Sequence, residues 1–82
     1  MASKRFEKCS EEWSMFREYW ALCQRFWEPE DNDEYWEQVV NATDDFYNKY
    51  KANNEIFSKK ITLALVDTLE EKLKQKKDKR NI

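Results

Sequence analysis

The stretch 13-WSMFREYWALCQRFWEPEDNDEYW-36 contains all four tryptophans of the 82-residue chain. Three of them, Trp13, Trp20 and Trp27, are spaced seven residues apart, which is about two turns of an α-helix. Pro29, the only proline, follows the third tryptophan and disfavours helical geometry at the residue before it. The stretch therefore predicts the end of one helix, a tight corner and the start of a second helix.

The first helix is predicted over about residues 6–28, because apolar residues recur along it at alternating steps of three and four. The members of this predicted seam are Phe6, Cys9, Trp13, Phe16, Trp20, Cys23 and Trp27. A second apolar stripe beside it consists of Met15, Tyr19, Leu22 and Phe26. We expect the seam to be core, with Trp13 and Trp20 buried. A later start is the alternative, since Ser10 is a residue type that caps helix N-termini.

Two further helices are predicted over about residues 33–51 and 55–76. Asp31 and Glu34 have the spacing of a capping box at the start of the second helix. Asn53-Asn54 supplies the next corner, because asparagine tolerates left-handed backbone geometry.

Short corners make consecutive helices antiparallel neighbours, so the predicted fold is an all-α three-helix bundle, with a long hairpin and the third helix laid across it as the alternative. The chain has no glycine, which tight turns between β-strands commonly require. We expect one domain over residues 1–82, with residues 1–4 and 77–82 frayed. A domain of this size buries only a small core and is marginally stable alone. Oligomerisation commonly adds stability, so a dimer is one of the alternatives.

The composition argues against an enzyme, a cofactor or a metal site. There is no histidine to act as a base near neutral pH and no glycine-rich loop to hold phosphate. Asp31 and Asp33 alternate as in a calcium loop, but the glycine and the distal glutamate of such a loop are missing. Cys9 and Cys23 would lie about 21 Å apart on one helix, too far for a disulfide. We expect two buried, reduced thiols in a cytosolic protein with no signal peptide and no membrane span.

The total charge is −2, but the charges are unevenly distributed. Residues 28–37 hold six acids and no Lys or Arg, beside two tryptophans. Because aromatic residues are frequent interface anchors, this corner is predicted to bind a partner protein. The predicted contact residues are Trp27, Glu30, Asp31, Asp33, Tyr35 and Trp36. Carboxylates around an aromatic anchor would suit a basic groove, such as the nucleic-acid channel of a nuclease.

Two other functions stay open. The chain could be a structural or regulatory homodimer whose aromatic seam is the interface. It could also bind DNA or RNA through its basic C-terminal end, since cations there could contact phosphates. The residues of that end are Lys72, Lys74, Lys76, Lys77, Lys79 and Arg80.

The segment EYWALCQRFWEPEDNDEYWEQVVNATDDFYNKY resembles small uncharacterised helical proteins encoded by phages and integrated elements of Gram-positive bacteria. The shared pattern is a tryptophan-bearing helix, a Pro-acid corner, Glu-Tyr-Trp and a Tyr/Phe-rich second helix. The stretch from Phe57 to Arg80, a third helix with a lysine-rich end, is also similar. The resemblance implies an accessory protein that binds host or phage proteins. Such a partner could be a defence nuclease, which the chain would inhibit. It transfers no functional residue.

Overall fold

The structure, a computed structural model, describes the backbone of residues 3–80 and the side chains of residues 3–77. Within that range it contains two α-helices, α1 (Glu11–Phe26) and α2 (Asp33–Arg80), and no strand. The all-α prediction is confirmed. The three-helix bundle is not supported, because there are two helices and not three: at the corner predicted at Asn53-Asn54, α2 bends without ending.

The predicted ends of the helices also differ from those in the structure. The last helix was expected to stop near residue 76, but α2 is helical as far as Arg80. Of the residues expected to fray, Met1, Ala2, Asn81 and Ile82 lie outside the described range.

Helix α1 begins directly after its N-cap, Ser10, and not at residue 6, so the predicted early start is wrong. The Ser10 hydroxyl accepts a hydrogen bond from the Trp13 amide at 3.2 Å, and this satisfies one of the unpaired donors of the first turn. Before it, the Ser10 amide donates to the Glu7 carbonyl, and Cys9 has a φ of 74°. This turn lets Phe6 fold back onto Phe16, with 5.5 Å between ring centroids.

The corner between the helices is fixed from both sides. Asn32, and not Asp31, caps α2: its side-chain oxygen accepts a hydrogen bond from the Tyr35 amide at 2.7 Å. The Tyr35 hydroxyl in turn donates to the carbonyl of Phe26, the last residue of α1, at 2.6 Å. Pro29 is fully buried between these contacts. The predicted turn is therefore in place, with the capping residue shifted by one position.

Helix α2 bends at Asn54, whose φ of −135° and ψ of 41° are not helical. A straight helix of 48 residues would be about 72 Å long. The longest dimension of the molecule is only 52 Å. The Lys77 ammonium lies 3.1 Å from the Asp31 carboxylate, so the far end of α2 returns to the corner before it. The first limb (33–53) and the second limb (55–80) of α2 therefore run side by side in opposite directions.

The core lies between α1 and the two limbs of α2. Its buried apolar residues are Met15, Leu22, Phe26, Tyr35, Val39, Phe46, Tyr50, Leu65 and Leu69. Tyr19 packs on Phe46 of the first limb, and its hydroxyl donates to the Ile61 carbonyl of the second limb at 2.8 Å. All the α1 residues in this core belong to the second stripe of the sequence.

The seam predicted to be core is instead largely exposed, and Trp13 and Trp20 are both at the surface. Cys9 is exposed as well, and Cys23 is only partly buried. Both stripes have three-four spacing, so spacing alone does not tell which one faces α2. Met15, Leu22 and Phe26 form the core side of α1, because this side contacts both limbs of α2.

Glu18 gives the fold a pH dependence that can be measured. Burial raises the pKa of its carboxyl, but hydrogen bonds from Lys49 and Tyr50 outweigh this, and the pKa lies below its ordinary value. The resulting stabilisation is present above the unfolded pKa of glutamate, about 4.3, and is lost as the pH falls through the folded pKa.

We therefore expect Glu18→Gln to be less stable than the parent at pH 7, by less than about 1 kcal/mol because the site is partly exposed. The difference should be smaller at about pH 3 than at pH 7, because it is lost as the pH falls through the folded pKa, and urea unfolding follows it. Glu70→Gln, on an exposed position of α2, is the control. An equal loss in Glu18→Gln at both pH values would contradict this assignment.

Candidate functional site

One side of α1 carries a continuous row of exposed rings, which we call the aromatic face. Its members are Phe6, Trp13, Phe16, Trp20 and Trp27. Between 37% and 68% of each residue is exposed, and Trp20, in the middle, is the most exposed. At about 100° per residue, the four helical positions fall within about 60° of one another around α1. The row therefore points away from the buried stripe as a single surface.

Both ends of the aromatic face are held by the second limb of α2. Near the N-terminal end, Phe16 lies between Phe6 and Phe57, whose ring centroid is 5.6 Å from that of Phe16. At the other end, the Lys72 ammonium lies 4.0 Å from the centroid of the Trp27 ring and also donates to the Trp27 carbonyl. This contact combines a cation–π interaction with the capping of a helix C-terminus. The face is thus fixed to the body of the molecule.

Open grooves lie on either side of Trp20. The first is lined by Phe6, Trp13, Phe16, Arg17, Trp20 and Ala21. The second is lined by Trp20, Cys23, Gln24 and Trp27. The Trp20 ring is a ridge between two apolar hollows, a shape that suits the side chains of another protein.

The structure separates the contact residues predicted around the acidic corner. Trp27 lies on the aromatic face, whereas Tyr35 is buried and Trp36 is half-buried, edge-on to Tyr35 with 5.0 Å between ring centroids. The three predicted acids, Glu30, Asp31 and Asp33, are exposed. A separate hollow beside them is lined by Arg25, Phe26, Glu28, Glu30, Asn32, Glu34, Tyr35 and Gln38.

The basic end of α2 faces the acidic corner. Lys77 pairs with Asp31, and Lys72 binds the carbonyl of Trp27. Two of the six cations considered for nucleic-acid binding are therefore directed at the protein itself. Lys74 and Lys76 are exposed, and the side chains of Lys79 and Arg80 lie outside the described range. The two opposite charge clusters of the sequence partly neutralise each other.

Burial shifts the pKa values of two groups beside the aromatic face. Burial and the neighbouring Cys23 raise the pKa of Tyr19 to about 12. Burial also raises the pKa of the Cys23 thiol, so this cysteine is protonated near neutral pH and is a poor nucleophile. Among residues 3–77, no group of three or more His, Cys, Asp or Glu is placed to hold a metal ion. Neither helix, over its described length, is long and apolar enough to cross a membrane.

No family model, curated protein or solved structure matches the chain. The resemblance to phage-encoded proteins therefore stays a prediction.

Proposed function

We propose that this chain is a small protein-binding module that makes contact through the aromatic face of α1. The observation that carries the proposal is the 68% exposure of Trp20, the middle one of three evenly spaced indoles. Tryptophan is among the residues most enriched at the energetic centres of protein interfaces.

The size of the surface supports the same function. At about 150–250 Å² per side chain, the five rings leave on the order of 500 Å² of apolar area exposed. This is near the upper end of the largest apolar patch found on monomeric proteins, and such patches are often functional. Covering it would be favourable at about 25 cal/mol per Å² before the costs of association.

The acidic corner is the second candidate contact, and it would serve the predicted inhibition of a nuclease. Its support is that Glu30, Asp31 and Asp33 are exposed. Two contacts weaken it: Lys77 pairs with Asp31, and a lysine rather than an acid lies over the Trp27 ring. We therefore place the aromatic face first. The cytosolic location and the phage origin are parts of the proposal that rest on the two free cysteines and the sequence resemblance.

Photo-crosslinking tests the proposed contact surface. With a benzophenone amino acid in place of Trp20, irradiation in cells should give covalent adducts with a protein. The same group in place of Leu63 is the matched control, because Leu63 is exposed but lies about 120° around α2 from Phe57. Adducts from position 20 alone are the expected result. Equal adducts from both positions, or adducts from neither, would overturn the assignment of the aromatic face.

A further inference from the structure

We propose that the partner of the aromatic face is the aromatic face of a second copy, packed antiparallel about a two-fold axis that passes beside Trp20. This proposal rests on the proposed function and names its partner.

The spacing of the tryptophans fits such a two-fold axis. Trp13 and Trp27 are each seven residues from Trp20, or about 10.5 Å along the helix. In an antiparallel pair centred at Trp20, Trp13 of one copy lies at the level of Trp27 of the other. The Trp20 rings meet at the axis. The same patch is then used on both copies, as a two-fold interface requires.

The charges at the two ends of the aromatic face favour the antiparallel direction. Residues 3–8 contain three cations and one acid with exposed side chains; Lys4 pairs with Glu12 and Arg5 with Glu7, which leaves an excess of positive charge at this end. Residues 28–34 contain five acids and no cation, and Lys72 and Lys77 offset only part of that charge, so this end stays acidic. An antiparallel pair brings the basic segment of each copy to the acidic corner of the other, and it also opposes the two helix dipoles. A parallel pair would put like charges together at both ends.

The middle of the face carries little charge that a second copy would have to desolvate. Between the rings, the exposed residues are Ala21, Gln24 and Arg17. Arg17 lies near the edge of the row, about 70° from its centre, where its guanidinium stays hydrated or lies over a ring of the second copy.

The area is also of the right order for a dimer. The rings alone offer on the order of 500 Å² per copy. The flanking residues and Phe57, which continues the row onto α2, bring the patch toward the roughly 800 Å² per partner of a standard interface.

Sedimentation equilibrium measures this association directly. We expect the full chain to reach twice its mass of 10.1 kDa with rising concentration in the micromolar range. Trp20→Glu places two carboxylates together at the two-fold axis and should weaken the dimer at least about 30-fold. Leu63→Glu, at a similarly exposed position on α2, should leave the dimer intact. Circular dichroism should show unchanged helix content for both variants.

A crosslinking experiment tests the direction of the pair. Arg17 and Gln24 lie on the same edge of the face, and the antiparallel register brings Arg17 of one copy to Gln24 of the other. In a Cys9→Ser, Cys23→Ser background, Arg17→Cys and Gln24→Cys chains oxidised with copper phenanthroline should form several-fold more interchain disulfide when mixed than when either is oxidised alone. No more crosslinking in the mixture than in the separate chains would overturn the antiparallel arrangement.

The two proposals fail in different ways. A chain that stays monomeric at all concentrations, or a Trp20→Glu chain that still dimerises, overturns the second copy as the partner. Protein binding through the aromatic face survives that result if the benzophenone at position 20 forms an adduct with a different protein. It fails with the dimer if position 20 forms no adduct, or forms no more adduct than position 63.

Discussion

Replacing Met15 by alanine is expected to lower the free energy of unfolding by about 2–5 kcal/mol. The Met15 side chain is 1% exposed and lies in the core between α1 and α2, so its removal leaves a cavity as well as losing buried apolar area. Trp20→Ala removes a larger side chain from the same helix, but 68% of that residue is exposed, and we expect a loss of less than about 1 kcal/mol. Urea unfolding of both variants measures the difference.

The comparison must be made below the concentration at which copies associate, since binding between folded chains adds to apparent stability. Under those conditions the order of the two losses decides which stripe of α1 is core. A larger loss for Trp20→Ala than for Met15→Ala would mean that the tryptophan seam faces inward, and it would remove the aromatic face on which both proposals depend.

The sequence does not decide which side of α1 faces inward. One turn after Trp13 and Trp20 come the polar residues Arg17 and Gln24, but one turn after Met15 and Leu22 come the charged residues Glu18 and Arg25. Polar residues therefore lie beside both stripes. The large size of the indoles is what led to the prediction that the seam is core.

The position of the corner could be predicted from Pro29, whereas the cap could not. Asp31, Asn32 and Asp33 are all good capping residues, and the choice depends on which backbone amides the corner presents. The structure selects Asn32 because its oxygen reaches the amide of Tyr35, whose hydroxyl is tied to α1.

The contact between the two charged clusters depends on the direction of the second limb of α2. The corner predicted at Asn53-Asn54 already implied that direction, but the charge pattern of each cluster alone does not show that the two clusters pair. Asp31 and Lys77 are 46 residues apart and meet only when the chain reverses at Asn54. The reversal also brings Lys72 over Trp27. Taken alone, each cluster predicts a binding site for a charged partner. In the folded chain, part of each cluster is instead in contact with the protein itself.

Leu69→Ala tests that reversal, and we expect it to lower the free energy of unfolding by about 2–5 kcal/mol. Leu69 is 0% exposed, but it belongs to the second limb of α2, and only the bend at Asn54 brings that limb onto the rest of the core. For a domain whose total stability is of the order of 5–15 kcal/mol, this is a large fraction. Thermal and urea unfolding should both show the loss.

Leu63→Ala provides the control, since it makes the same chemical change six residues earlier on the same limb, at a residue that is 57% exposed. Its loss should stay within about 0.5 kcal/mol, because helix propensity changes little from leucine to alanine. In a straight α2, the second limb would extend beyond the core and both leucines would face solvent. Equal, small losses for the two variants would therefore contradict the bend, and with it the contact by which Lys72 holds Trp27 on the aromatic face.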